Sequence, residues 1–136
     1  MGVLNDTIVF PILLSRDLDA SRAFYRDLLG LEIAREDPDD RIVFRCGGGT
    51  QLVVTLSTVG TRDSQTQLAW RVPDIHAAVA ELRSMGVRVE EYGAPDPVTT
   101  DGVADMGHSW AAWFLDPSGN ALAVVQPKPP ASAPSS

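Results

Sequence analysis

A chain of 136 residues, 44% hydrophobic and 21% charged, holds enough apolar material for one compact core and too little length for two ordinary domains. Its formal charge of −7 leaves no basic face for nucleic acid, and no apolar run reaches the roughly 18 residues that span a membrane. The one cysteine, Cys46, excludes an internal disulfide and a cysteine-built zinc cluster, and Met1 to Thr7 has neither the basic start nor the apolar core of a leader, so a cytoplasmic protein is expected.

In chain order, Ile8 to Leu14 is an apolar run that reads as a strand, with Pro11 marking an edge or a point of exchange between subunits. Asp17 is placed to cap a helix whose apolar positions, Ala20, Ala23, Phe24, Leu28 and Leu31, recur at spacings of three and four, and Gly30 stops it. Strands follow at Glu32 to Asp37 and Arg41 to Cys46 around a Pro38-Asp39-Asp40 turn, and Gly47 to Thr50 turns the chain into a further strand, Gln51 to Leu56. The polar stretch Ser57 to Thr66 links to a second round: a strand Gln67 to Val72, a helix capped by Asp74 with Ile75, Ala78, Val79 and Leu82 on its apolar face, and a strand Val87 to Tyr92. Gly93 to Gly107 reads as a long loop without apolar period, the kind that carries function or moves. Ser109 to Leu115 and Asn120 to Gln126 form a hairpin around Asp116-Pro117-Ser118-Gly119-Asn120, and the tail 127–136 has a disordered composition.

The chain thus repeats one β-α-β-β-β unit, over about 7–57 and 67–126, which makes it an α+β protein of a single two-module domain. An offset of 57 residues aligns Asp17 with Asp74 and Phe10 with Gln67. Setting Cys46 to Thr50 against Asp116 to Asn120 puts Val53 opposite Ala123.

The Asp17-Leu18-Asp19-Ala20-Ser21-Arg22-Ala23-Phe24-Tyr25 segment running on to Leu29-Gly30-Leu31, with Phe114-Leu115-Asp116-Pro117-Ser118-Gly119-Asn120, resembles the vicinal oxygen chelate superfamily of glyoxalases, extradiol dioxygenases and bleomycin resistance proteins. The resemblance runs from about Thr7 to Gln126 and implies two tandem βαβββ modules forming a curled mixed sheet around a cavity, usually in a homodimer. It also implies that metal ligands, where the superfamily has them, come from the start of each module's first strand and the last strand of each hairpin. Those places hold Phe10, Val53, Gln67 and Ala123. Three of these side chains are hydrocarbon and one is a weak amide donor, so no metal or other cofactor is expected. Phe10 to Leu18 and Leu68-Ala69-Trp70 are similar to the metal-free bleomycin resistance proteins, which sequester a drug without reacting with it. The aromatic residue that stacks on the drug in those proteins corresponds to His108 here, with Trp110 two residues on.

Strand alternation then sorts the pocket. If Phe10 and Gln67 face the cavity, so do Ile12, Leu14, Ala69 and Arg71, while Trp70 and Val72 pack on the helix; Ala111, Trp113 and Leu115 face the cavity and Ala112 and Phe114 the helix. The candidate ligand contacts are Phe10, Ile12, Phe44, Gln67, Arg71, Tyr92, His108, Trp110 and Trp113, and the expected partner is a small molecule, a cationic or aromatic antibiotic. The acidic run from Glu90 to Asp105 could attract a cationic ligand, though such a run is more often a solvated loop. Trp110 and Trp113 fit core and pocket alike, Arg71 fits a ligand or an internal ion pair, and His76 fits a solvated helix position. The alternative is a glyoxalase-like metal-dependent lyase, isomerase or dioxygenase, with His108 and Glu32, Glu36 or a loop acid as ligands, or a metal-free enzyme with His108 as base.

Overall fold

Two aspartates start the two helices in the same way. Asp17 accepts the backbone N–H of Ala20 at 3.1 Å and Asp74 that of Ala77 at 3.1 Å, each satisfying a donor that the first helical turn leaves open. In the computed structural model, which describes residues 4, 5, 7–58 and 65–129, α1 (Leu18–Arg22) widens into a π-helical stretch, Ala23–Leu28, and α2 is Ile75–Ser84. Gly30 (φ 77°) and Gly86 (φ 92°) end them in the left-handed region that glycine enters without strain. Residues 59–64 of the link and 130–136 of the tail lie outside the described residues.

The chain groups into two compact units, 1–63 with 116–120, and 64–115 with 121–136. The first carries β1 (Ile12–Ser15), β2 (Glu32–Asp37), β3 (Arg41–Arg45) and β4 (Gln51–Leu56) in the order β1-β4-β3-β2, with β1 parallel to β4 and the other pairs antiparallel. The second carries β5 (Thr66–Arg71), β6 (Thr99–Thr100), β7 (Val103–Asp105), β8 (Ser109–Leu115) and β9 (Ala121–Pro127) in the order β5-β9-β8-β7-β6, with β5 parallel to β9. Each unit is α+β, and its mixed sheet is open.

The repeat read from the sequence reappears in the strand register. Ile12 pairs with Val53, and Ala69, its equivalent, pairs with Ala123; Val43 meets Val53 where Trp113 meets Ala123. Equivalent phenylalanines anchor the two cores: Phe44, 0% exposed, lies 5.4 Å from the Tyr25 ring, and Phe114, 1% exposed, stacks on Trp70 at 6.1 Å.

Four expectations change. The first strand begins at Ile12 instead of Ile8, because before it Pro11 supplies only a carbonyl, which accepts Val53 N–H at 3.0 Å. Val87 to Tyr92 is not a strand: it meets β8 at one bridge, Val89–Phe114, since β7 holds the rest of that edge. The loop Gly93 to Gly107 instead folds into the β6–β7 hairpin on Asp101 (φ 55°) and Gly102 (φ 83°), both positive as a two-residue hairpin turn needs. Pro127, expected to open the tail, ends β9, and Lys128 is tied to Asp105 at 2.7 Å.

The Asp116–Asn120 turn, chemically part of the second repeat, groups with the first unit and organises its interior. Asp116 Oδ2 accepts the Tyr25 hydroxyl at 2.6 Å and Asn120 Nδ2 at 2.7 Å, while Oδ1 accepts the backbone N–H of Ser118 at 3.0 Å and of Asn120 at 2.8 Å. Asn120 Nδ2 also reaches the Leu14 carbonyl at 2.8 Å, and Ser118 Oγ accepts Arg16 N–H at 3.1 Å, so the turn fixes the end of β1.

Burial, then the Asp116 charge and the bond to it, push the Tyr25 phenol well above its ordinary 10.0. The folded state therefore binds this proton more tightly than the unfolded state does. Its stabilisation is complete below the ordinary tyrosine value and is lost as pH rises beyond it. Urea midpoints measured from pH 8 to 11 are expected to fall on the alkaline side, from about pH 10 upward, more steeply in the wild type than in Tyr25→Phe. Equal slopes would mean that Tyr25 does not carry the effect.

Candidate functional site

On β8, alternation puts Ala112 and Phe114, 0% and 1% exposed, on the α2 side and turns Trp113 to the other face of the sheet. Its indole N–H donates to Thr66 Oγ1 at 2.9 Å, which fixes the ring plane from β5. Tyr92 meets it edge-on, with centroids 5.7 Å apart and planes at 65°. The backbone around Tyr92 is held on both sides: Glu90 N–H donates to the Trp113 carbonyl at 2.8 Å, Tyr92 N–H to Thr99 Oγ1 at 2.8 Å, and Thr99 N–H back to the Tyr92 carbonyl at 3.0 Å. Glu91 braces the same corner by accepting Thr99 Oγ1 at 2.6 Å and Gly102 N–H at 3.0 Å, beside Arg83 at 3.4 Å. There is no room there for a side chain at Gly102, whose Cβ would come within 2.9 Å of Val89.

The two rings, with Gln65, Thr66, Asp96, Pro97, Met106 and Ala121, line a cleft of about 390 Å³ inside the second unit. That size suits a ring-bearing small molecule, and its wall combines the aromatic and apolar side chains of Tyr92, Trp113, Pro97, Met106 and Ala121 with the polar ones of Gln65, Thr66 and Asp96. Partial burial first, and then the negative charges of Glu90 and Asp96, raise the Tyr92 phenol above its ordinary value. Glu91 is held below the usual carboxylate range, chiefly by the Thr99 hydroxyl and then by the Gly102 N–H.

Of the nine residues read as ligand contacts, the fold brings Tyr92 and Trp113 together in this cleft. Gln67 is half-buried on β5, at the register shift next to Thr66. Arg71 is exposed at the far end of β5, beside a separate hollow formed with Val72, Pro73, Gln126 and Pro127. Trp110 lies three residues from Trp113 and so on the opposite face, with Lys128 Nζ 4.9 Å from its ring centre. His108 is exposed in the turn before β8, its carbonyl accepting Lys128 N–H at 2.9 Å; His76 is exposed on α2. Phe10 and Ile12 are in the first unit, 53% and 57% exposed. Phe44 is corrected: it points under α1, at 0% exposure, and offers nothing to a ligand. Asp96, Pro97 and Met106 come from a segment that carries no periodic signal in the sequence.

The donor set tests the fit of a metal at the places the resemblance implies. Val53 lies between Ile12 and Val43, and Ala123 between Ala69 and Trp113, 7% and 1% exposed respectively; neither has a lone pair to offer. The residues do not fit a metal there. The alternative ligands are engaged elsewhere, Glu32 with Arg45 at 3.2 Å and Glu36 with Arg22, and among the described residues no three His, Cys, Asp or Glu side chains gather as a metal site.

The sequence model of the Glyoxalase/Bleomycin resistance protein/Dioxygenase superfamily matches residues 7–124. No curated protein sequence matches the chain. Solved structures that are similar include a glyoxalase family protein from Bacillus anthracis, at 18% identity over 94% of this chain and 100% of that one, TM-score 0.70. TnmS3, an antibiotic binding protein from Streptomyces sp. CB03234, is 22% identical over 93% of this chain and 100% of its own, TM-score 0.70. Lactoylglutathione lyase from Agrobacterium tumefaciens is 21% identical over 89% and 93%, TM-score 0.63. At these identities the likeness is one of fold.

Proposed function

The chain belongs to the glyoxalase/bleomycin resistance protein/dioxygenase superfamily, and from that premise we propose that it is a metal-free binding protein that sequesters an aromatic, antibiotic-type small molecule. The observation that carries this reading is the donor set: where the superfamily's metalloenzymes would place their ligands, this chain has Phe10, Val53, Gln67 and Ala123. The second unit also keeps an aromatic cleft, Tyr92 against Trp113, of a size to hold a ring system. The likeness in fold to an antibiotic binding protein supports the same reading. In this reading the protein works in the cytoplasm as a homodimer, like the bleomycin resistance proteins it resembles, and protects by holding its ligand.

The test is a titration of the purified protein with a panel of aromatic antibiotics, followed by tryptophan fluorescence, with elemental analysis of the same preparation after exposure to Ni, Zn and Fe salts. Saturable quenching by at least one compound and no stoichiometric metal are expected. Absence of quenching across the panel, or one tightly held metal per chain, would overturn the reading, and the metal would direct attention to lyase or dioxygenase chemistry.

A further inference from the structure

Resting on that binding reading, we propose that the Tyr92–Trp113 cleft selects a planar organic cation, with the Asp96 carboxylate as the group that recognises its positive charge. Among the described residues, the lining of the cleft carries one formal charge, that of Asp96; Gln65, Thr66, Tyr92, Pro97, Met106, Trp113 and Ala121 are neutral. The acids around it are matched: Glu91 by Thr99, Gly102 and Arg83, Asp101 by Arg83 at 3.1 Å, Asp105 by Lys128 at 2.7 Å, and Glu90 faces Arg88 at 4.0 Å. Among the described residues, the Asp96 side chain has no hydrogen-bond or ion-pair partner.

An unmatched carboxylate beside two aromatic rings at 65° to each other is an arrangement that favours a cation over a neutral ring, because the ring faces attract positive charge as the carboxylate does. The Tyr92 phenol is raised first by partial burial and then by the nearby charges of Glu90 and Asp96, which places Asp96 close enough to the ring to act on it. The position of Asp96 is prepared in advance. Its own N–H donates to the Gly93 carbonyl at 3.1 Å, and the two ends of its segment are closed by the paired bonds between Tyr92 and Thr99. A protein of net charge −7 also draws cations toward it before contact.

The probes are 9-aminoacridine, a cation at neutral pH, and acridine, its uncharged parent, each titrated by calorimetry into the full-length protein. Because Asp96 is exposed, the expected preference is moderate: the cation binds roughly five- to tenfold more tightly at low salt. Raising the salt is expected to weaken the cation and not the neutral probe, since screening acts on the charge alone. Asp96→Asn is expected to bring the two probes within about twofold of each other. Equal binding of both probes by the wild type overturns the charge selection and leaves the binding reading standing, as does a preference that survives Asp96→Asn. Failure of both probes to bind overturns the selection together with the assignment of this cleft.

Discussion

Asp116→Ala is expected to lower the free energy of unfolding by about 3–5 kcal/mol, the range in which the loss of a buried charged hydrogen-bond centre falls. The carboxylate is 5% exposed and accepts four hydrogen bonds, two from side chains and two from backbone N–H groups. Removing it leaves the Tyr25 hydroxyl, on a residue 0% exposed, with its donor facing the empty space, and frees the turn that fixes Leu14 and Arg16. Each orphaned donor costs its desolvation, which is why truncation here exceeds the worth of any one bond. Urea unfolding followed by circular dichroism measures the loss. A change of less than about 1 kcal/mol would show that water or a shifted side chain replaces the network.

The second large effect concerns the two tryptophans of β8. Trp113→Ala is expected to weaken binding of a planar probe such as 9-aminoacridine by roughly 30-fold or more, the scale for an aromatic anchor at the centre of a contact. Trp110→Ala, by contrast, is expected to change it by less than about threefold, because Trp110 lies on the opposite face under Lys128. Calorimetry is the suitable readout, since Trp113 is itself a fluorescent reporter. Equal losses in the two variants would remove the cleft from its proposed role.

The scaffold was legible because its signals are local. Asp17 and Asp74 announce their helices three residues ahead of the N–H groups they accept, and the equivalence of Phe10 with Gln67 and of Val53 with Ala123 reappears as the pairings Ile12–Val53 and Ala69–Ala123. The site was legible only in part. Alternation turned Trp113 correctly because small and large residues flank it, whereas Ile42, Val43 and Phe44 are all buried, so their uninterrupted apolar run gave no sign of which face Phe44 takes. Asp101-Gly102 between Thr99-Thr100 and Val103-Ala104 is a short hairpin signal set inside a long segment without apolar period, which masks it. Asp96 and Met106 reach the cleft from segments before and after that hairpin, and no spacing in the chain announces such a meeting.

The bond from Tyr25 to Asp116 joins residues 91 positions apart. During synthesis, the first half of the chain emerges with its helix, its four strands and most of its apolar core, yet the acceptor for Tyr25 and the donors for Leu14 and Ser15's neighbourhood have still to be made. The earlier-made half thus waits for a five-residue turn near the other end before its interior is complete, and contacts so distant in sequence slow folding. A fragment ending at the link between the repeats lacks that turn, so the natural cut suggested by the duplication separates the first repeat from the residues that finish it.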